Sequence, residues 1–213
     1  MMTEFQDLYN KYHPLVDNGL MIIADISGFT NYINVTEIEH SQKIIAKLLE
    51  SLIDANELGL FISEIEGDAV FFFKFGTDDS YSALINQIKR MTQIFYSTLE
   101  GMSTDKTCEC GACSVLAGLN IKFIVHIGKI GTIMIKNFCK FYGIDVIVVH
   151  RLLKNHLKII DYALFTSKVV RKLSNEKENN FSFSSGFIMD EDAYEDIGVI
   201  KYTYISLKKF LEK

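Results

Sequence analysis

LMIIADISGFT, residues 20–30, begins as an apolar, β-branched run and ends in a polar segment that opens with Asp25. The run has the length and composition of a buried strand. SEIEGDAVFFF, residues 63–73, places Asp68 directly before a second apolar run. Two carboxylates at the ends of neighbouring buried strands, each close to a glycine, predict a cradle for a hard divalent cation. Such a cation would in turn hold phosphates.

Both aspartates also have a purely structural interpretation. An aspartate that follows a strand often forms a turn or caps a helix, and the residues Ser27, Gly28 and Thr30 that follow Asp25 suit that role. The occurrence of Asp25 and Asp68 together, in similar surroundings, favours the metal site over two unrelated turns.

The composition predicts one cytosolic globular domain over residues 1–213, with its core at about 18–208. The net charge is −5, and the lysines and arginines are dispersed, which argues against a nucleic acid partner. No apolar run approaches the ~20 residues of a membrane span. Glu4 and Asp7 stand where a signal peptide would carry positive charge. We therefore expect a cytoplasmic protein without a membrane partner.

Apolar periodicity predicts an α+β fold with helices on one side of a sheet. Strands are expected near residues 20–25, 60–66, 69–75, 119–127, 130–136, 161–165, 181–188 and 199–206. Helices are expected at 37–57, 80–100 and 144–156, and an inserted loop at 101–118. The runs at 60–66 and 69–75 are too close in sequence for a crossover, so they must pair as an antiparallel hairpin.

Several motifs resemble those of the class III nucleotidyl cyclases, in the same order along residues 20–206. DISGFT at 25–30 resembles the first metal-binding segment of that family, and Asp68 with its preceding glycine resembles the second. VHIG at 125–128, followed by Gly131, is similar to the next glycine-punctuated hairpin. Gly143 with Arg151 is similar to the signature helix.

Four longer phrases resemble a bacterial group, the domain of unknown function DUF2652, which is regarded as cyclase-like. They are TEIEHSQ at 36–42, LIDAN at 52–56, SEIEGD at 63–68 and HRLLKN at 150–155. This resemblance covers almost the whole chain. It implies a fold but no established activity.

The cyclase resemblance implies a ferredoxin-like βαββαβ core, with helices packed on a mostly antiparallel sheet. It also implies that Asp25, Asp68 and the backbone carbonyl of Ile26 bind Mg or Mn, and that Gly28 and Phe29 contact a nucleoside triphosphate. The metals of the family activate the ribose 3′-hydroxyl for attack on the α-phosphate and neutralise charge at the transferred phosphorus.

Arg151 matches the family position that stabilises charge in the transition state, a role that suits a guanidinium. An exposed helix arginine is the structural alternative. Family sites form between two subunits, one supplying the aspartates and the other the arginine, so the resemblance implies a homodimer. Two positions depart from the pattern: Ile147 replaces the asparagine that orients the ribose, and Ile197 replaces the lysine that holds the triphosphate.

Base selection in the cyclases uses two side chains, and the corresponding positions are Glu64 and Lys140. A glutamate at the first position resembles the guanine-selective cyclases, because a carboxylate accepts hydrogen bonds from guanine N1 and N2. Lys140 fits neither the guanine nor the adenine pattern. Glu64 and Lys140 could instead pair with each other, so the choice of base stays open.

A cysteine cluster suggests a structural zinc site. Cys108, Cys110 and Cys113 could supply three thiolates, with His126 or Cys139 as the fourth ligand. Free thiols of a cytosolic loop are the alternative.

Two histidines and one aromatic run are interpreted as structural. His126 and His150 stand in apolar surroundings, where a histidine is most often a core residue with satisfied hydrogen bonds. The three phenylalanines at 71–73 are expected in the core and in dimer packing rather than as a base-stacking surface.

Two functions remain open from the sequence, beside a third possibility of a scaffold whose carboxylates only cap helices. The first is divalent-metal-dependent binding of a nucleoside triphosphate, with weak cyclisation of a purine triphosphate and release of pyrophosphate. The second is a non-catalytic nucleotide-binding or sensory module that keeps the cyclase fold. The retained aspartates favour binding, whereas Ile147 and Ile197 argue against rapid turnover.

Overall fold

The structure is a computed structural model of the chain. It describes residues 16–76, 80–104, 115–136, 138–174 and 186–212. The cysteines expected to bind zinc at 108, 110 and 113 lie outside these ranges.

The described residues form eight strands and six α-helices. The strands are β1 (Val16–Ser27), β2 (Phe61–Glu66), β3 (Ala69–Phe75), β4 (Asn120–Ile135), β5 (Phe138–Tyr142), β6 (Tyr162–Thr166), β7 (Ile188–Tyr194) and β8 (Gly198–Ser206). The helices are α1 (Phe29–Asn34), α2 (Ile38–Asp54), α3 (Tyr81–Thr104), α4 (Ile144–Arg151), α5 (Ser167–Ser174) and α6 (Leu207–Leu211). Across the described ranges, none of the helices has both the length and the apolarity needed to cross a bilayer.

All eight strands form one sheet in the order β2-β3-β1-β4-β6-β8-β7, with β5 added to the far part of β4. Every pairing is antiparallel except that of β4 with β6. The first four strands and the helices between them make the expected ferredoxin-like βαββαβ core. The α+β fold class is therefore confirmed, as is the hairpin of β2 and β3.

The sheet is covered on both faces, which corrects the expectation of helices on one side. Alternate residues of β1 face opposite ways: Ile22 packs in a large core with α2, α3, α5 and α6, and Ile23 packs in a second core with α4. The same alternation divides the aromatic run of β3, since Phe72 lies in the large core and Phe71 in the second. The expected core role of this run is confirmed.

The structure differs from the expected strands at 119–127, 130–136 and 181–188. Residues 119–127 and 130–136 do not form a hairpin with each other but belong to the single strand β4, whose hairpin partner is β5. The strand expected near 181–188 falls mostly outside the described residues, and β7 begins only at Ile188. The expected loop at 101–118 is in part helical, because α3 continues to residue 104.

A buried polar network fixes α4 against the sheet and explains why β4 contains a glycine. The Asp145 carboxylate of α4 accepts hydrogen bonds from His126 Nε2 at 2.8 Å and from the Lys129 backbone N–H at 2.8 Å, and it also pairs with Lys168. A Cβ atom at Gly128 would lie 2.2 Å from Asp145 Cγ. Gly128 is therefore a site of close packing in a strand and does not mark a turn.

The same glycine-to-alanine change should have opposite effects at two positions. Gly128→Ala should lower the free energy of unfolding by about 2 kcal/mol or more, because Asp145 must move and lose its hydrogen bonds. Gly101→Ala, on α3 where an added Cβ meets nothing within 4 Å, should raise it by about 0.5–1 kcal/mol. Urea denaturation measures both values, and equal effects would contradict this packing.

Candidate functional site

The register of the sheet brings the two predicted aspartates to one corner of the second core. Asp25, near the end of β1, lies opposite Ala69 of β3. The backbone N–H of Ile26 donates a hydrogen bond of 3.1 Å to the backbone carbonyl of Asp68. Gly67, with φ of 60°, allows the tight β2–β3 turn that carries Asp68. The two side chains predicted to share a cation therefore lie on adjacent segments.

The electrostatics of this corner show that the two negative charges affect each other. The pKa of Asp68 is raised to about 6, first by burial and second by the charge of Asp25. Its own backbone hydrogen bond and the charge of Lys122 lower the pKa in part. A divalent cation would relieve both the repulsion and the desolvation that favour the protonated form.

Lys122 completes the corner and was not predicted from the sequence. It lies on β4 directly opposite Asp25, and its Nζ is 3.1 Å from Asp25 Oδ1. Both side chains are mostly buried, at 18% exposure for Lys122 and 17% for Asp25. Lys122 Nζ also donates to the backbone carbonyl of Leu153 at 3.3 Å. The available signal was a lysine inside the run at 121–127, which is apolar apart from Lys122 and His126.

The donor set suits magnesium or manganese bound together with phosphates. In the described part of the chain, no group of three or more His, Cys, Asp or Glu side chains is arranged around a common metal position. Asp25, Asp68 and the Ile26 carbonyl offer hard oxygen ligands. Mg²⁺ is commonly bound by one or two carboxylates, with waters and substrate phosphates as the remaining ligands. The corner therefore fits such an ion with a triphosphate better than a closed, all-protein metal site.

The two positions assigned to base selection are paired with each other. Lys140 Nζ donates to Glu64 Oε2 at 2.6 Å, which confirms the alternative left open by the sequence. The pKa of Lys140 is raised by its hydrogen bond to Glu64 and by the carboxylate charge. His150 Nε2 lies 3.8 Å from the other Glu64 oxygen, and its ring packs edge-on against Phe71. The His150 side chain is 33% exposed, which corrects the expectation of a core histidine: it lies at the edge of the second core.

Arg151 lies at the end of α4 and is more than half exposed, with Nη2 3.6 Å from Asp196 Oδ2. One turn earlier, Ile147 is 47% exposed. Residues four apart share one face of a helix. The arginine and the isoleucine that replaces the expected asparagine therefore lie side by side at the surface. Ile197 lies in the β7–β8 turn and packs against the second core.

Gly28 and Phe29 form the tight passage from β1 into α1. Gly28 has φ of 89°, and a Cβ there would lie 2.5 Å from the carbonyl oxygen of Gly118. Only glycine fits both constraints. Phe29 begins α1 and packs partly against the large core. The first backbone N–H groups of this helix are near the end of the strand that carries Asp25.

His126 does not have the free nitrogen that a zinc ligand needs. Its Nε2 faces the Asp145 carboxylate, and its Nδ1 lies 2.8 Å from Thr166 Oγ1. A carboxylate only accepts, so Nε2 carries the proton and Nδ1 accepts from the hydroxyl. Burial lowers the pKa of His126 and keeps the ring neutral. The expectation that His126 is a core residue is confirmed, and Cys139 is a free, partly exposed thiol.

Comparison with known sequences places the chain in a family. Residues 45–162 match the family described as Protein of unknown function (DUF2652). The chain belongs to this family. It is also 35% identical, over 144 residues, to the uncharacterised protein Rv2561/Rv2562 of Mycobacterium tuberculosis. The aligned region covers 64% of this chain and 67% of the relative.

Comparison with solved structures shows the fold of nucleotidyl cyclase catalytic domains. The adenylyl cyclase CyaB from P. aeruginosa matches with a TM-score of 0.64 and 12% identity, over 91% of this chain and 96% of the cyclase chain. The guanylyl cyclase Cya2 matches with a TM-score of 0.64 and 13% identity, over 90% of this chain and 93% of its own. This DUF2652 member therefore has the cyclase fold at very low sequence identity.

The raised pKa of Asp68 predicts a specific dependence of stability on pH. The folded protein keeps the Asp68 proton up to about pH 6, whereas the unfolded chain releases it near 3.8. Between these values the folded state binds more protons, so the contribution of Asp68 to the free energy of unfolding falls as pH rises. Asp68→Asn should lack this decrease.

Urea denaturation at several pH values from about 4 to about 7 measures the effect. Asp54→Asn, at the exposed end of α2, makes the same change in charge away from the corner and should behave like the wild type. An Asp68→Asn profile parallel to that of the wild type would contradict the arrangement of charges described here.

Proposed function

We propose that this protein binds a nucleoside triphosphate together with Mg or Mn at the corner formed by Asp25 and Asp68, and that it cyclises a purine triphosphate slowly. The observation that carries the proposal is the placement of two partly buried carboxylates on adjacent segments, where burial first and the charge of Asp25 second raise the pKa of Asp68 to about 6. On this fold, the pair lies where the end of β1 meets the β2–β3 turn. Two unrelated turn-forming aspartates need no such proximity.

Each residue of the corner has a separate task in this proposal. Asp25, Asp68 and the Ile26 carbonyl hold the cation, which when bound would promote loss of the ribose 3′-hydroxyl proton and offset charge at the α-phosphorus. The backbone N–H groups that start α1, at Gly28 and Phe29, suit phosphate oxygens because the start of a helix leaves such donors unpaired. Lys122 adds an ammonium group beside Asp25 that could pair with the same phosphate oxygens.

The Glu64–Lys140 pair provides an acceptor and a donor for a base, without deciding between adenine and guanine. An adenine edge offers a donor at N6 and an acceptor at N1, and a guanine edge offers donors at N1 and N2 and an acceptor at O6. Either edge can engage both side chains once their mutual hydrogen bond opens. The fold gives no preference, since adenylyl and guanylyl cyclases match it equally well.

Slow turnover follows from the residues beside Arg151. Ile147 cannot hydrogen-bond a ribose, and Ile197 cannot hold a phosphate. Each loss removes roughly 2–4 kcal/mol of transition-state stabilisation, which corresponds to about 30- to 1,000-fold in rate. These substitutions favour the second candidate function, a nucleotide-binding signalling module that no longer turns over.

A homodimer is part of the proposal because Arg151 lies exposed at the end of α4, beside Asp196. In a homodimer, Arg151 of one subunit would reach the Asp25–Asp68 corner of the other subunit. Exposed apolar side chains that could be covered in this way lie on the β4–β5 hairpin and at the start of α4: Ile133, Ile135, Tyr142, Ile144 and Ile147. Sedimentation equilibrium that gave one chain per particle at micromolar concentration would contradict this part. We further propose a cytoplasmic location, where a nucleoside triphosphate would be available as the ligand.

Nucleotide binding in the presence of Mn should depend on Asp25. In Asp25→Asn, the affinity for the preferred triphosphate should fall about tenfold or more, because half of the carboxylate charge that holds the cation is lost. Asp54→Asn should bind like the wild type. Isothermal titration with each of the four ribonucleoside triphosphates measures this, and chromatography of the same mixtures detects cyclic product.

The two candidate functions predict different results in these mixtures. A cyclic nucleotide made by the wild type and absent from Asp25→Asn identifies a cyclase and its base. Mn-dependent binding without product identifies the signalling module. Equal nucleotide affinity in the wild type and Asp25→Asn would eliminate the metal site and with it both forms of the proposal.

A further inference from the structure

Asp25, a proposed metal ligand, already forms an ion pair with the ammonium group of Lys122. The two residues are cross-strand neighbours of β4 and β1, so their side chains leave the sheet on the same face. Lys122 Nζ lies 3.1 Å from Asp25 Oδ1, with both side chains more than four-fifths buried. The ammonium therefore neutralises Asp25 in the absence of any ligand.

This arrangement opposes a metal ion that arrives alone. A divalent ion bound to Asp25 must displace the ammonium or share the carboxylate with it. A displaced ammonium stays tethered to β4 a few ångströms away, where it repels the ion in a partly buried environment with weak screening. The contact from Lys122 to the Leu153 carbonyl also holds the lysine stem near the corner.

A triphosphate changes this balance because it brings several negative charges. Phosphate oxygens can accept the Lys122 ammonium at the same time as they complete the coordination of the ion. The lysine then exchanges one anionic partner for another and does not remain unpaired. The side chain can make this exchange because its stem is long and flexible.

We propose that Lys122 pairs with Asp25 in the free protein and so couples metal binding to nucleotide binding. The metal ion and the triphosphate then bind together. This inference rests on the proposed function, since it concerns the same carboxylates. Lys122 acts here as a positioning residue that keeps the site closed to free metal ions. Binding of the ion and of the triphosphate is then mutually favourable.

The experiment compares Mn²⁺ binding by electron paramagnetic resonance with and without a non-hydrolysable triphosphate analogue, at one fixed pH. The variants are Lys122→Met, Lys122→Arg and the double variant Lys122→Met with Asp25→Asn. Lys201→Met, which removes a lysine that is 72% exposed on β8, is the matched control. Replacing a buried ion-pair partner with methionine keeps the side-chain volume, and circular dichroism verifies the fold.

Without nucleotide, Lys122→Met should bind Mn²⁺ about tenfold or more tightly than the wild type, because a nearby positive charge is removed. The increase in Mn²⁺ affinity caused by the triphosphate should be smaller in Lys122→Met than in the wild type. Lys122→Arg and Lys201→Met should resemble the wild type. The double variant should lose the gain, since Asp25 is the carboxylate that the lysine covers.

Two results overturn the inference, and they are distinguishable. In the first, the wild type binds Mn²⁺ with the analogue, but Lys122→Met binds free Mn²⁺ no more tightly than the wild type does, or the double variant retains the higher Mn²⁺ affinity of Lys122→Met. The coupling role of Lys122 is then wrong, and the proposed function stands. If the wild type and the Lys201→Met control bind no Mn²⁺ even with the analogue, the proposed function is wrong and this inference falls with it.

Discussion

The central strand β1 pairs with β3 on one side and with β4 on the other, and this register sets the position of the charged groups. It fixes Asp25 between Ala69 and Lys122 in register. Because the strand is antiparallel to both neighbours, the β2–β3 turn with Asp68 returns beside the end of β1. A shift of one residue would turn Asp25 into the large core and every apolar residue of β1 to the opposite face. The strand register of β1 with β3 and β4 therefore determines which charged groups meet in the acidic corner.

The two faces of the sheet have different tasks. The large core, built on α2 and α3, is wholly apolar where it meets β1 and supplies most of the burial. The second face, under α4, carries the charged groups: the acidic corner, the Glu64–Lys140 pair and the Asp145–His126 network. In that network, hydrogen bonds from His126 and Lys168 outweigh burial and hold the pKa of Asp145 below its usual range. The network fixes the start of α4, and so the helix that carries Arg151.

Local patterns were sufficient for much of the fold and for part of the site. The strands β2, β3, β6 and β8 follow from bounded apolar runs, and Asp25 and Asp68 from their places at strand ends. β4 was divided in error because Gly128 resembles a turn residue, while its real reason, the space needed by Asp145, is a tertiary contact. Lys122 was missed for the same kind of reason: its partner is 97 positions away and is set only by the register of the sheet.

The proposed role of Asp25 and Asp68 is to hold a divalent ion that binds the triphosphate. Anomalous diffraction at the manganese edge, from crystals grown with Mn²⁺ and a non-hydrolysable triphosphate, would locate that ion. We expect a manganese peak within bonding distance of both carboxylates, with phosphate oxygens as further ligands. A nucleotide bound elsewhere, or a corner still closed by the Lys122–Asp25 pair with no manganese in it, would show that the two carboxylates do not form this site.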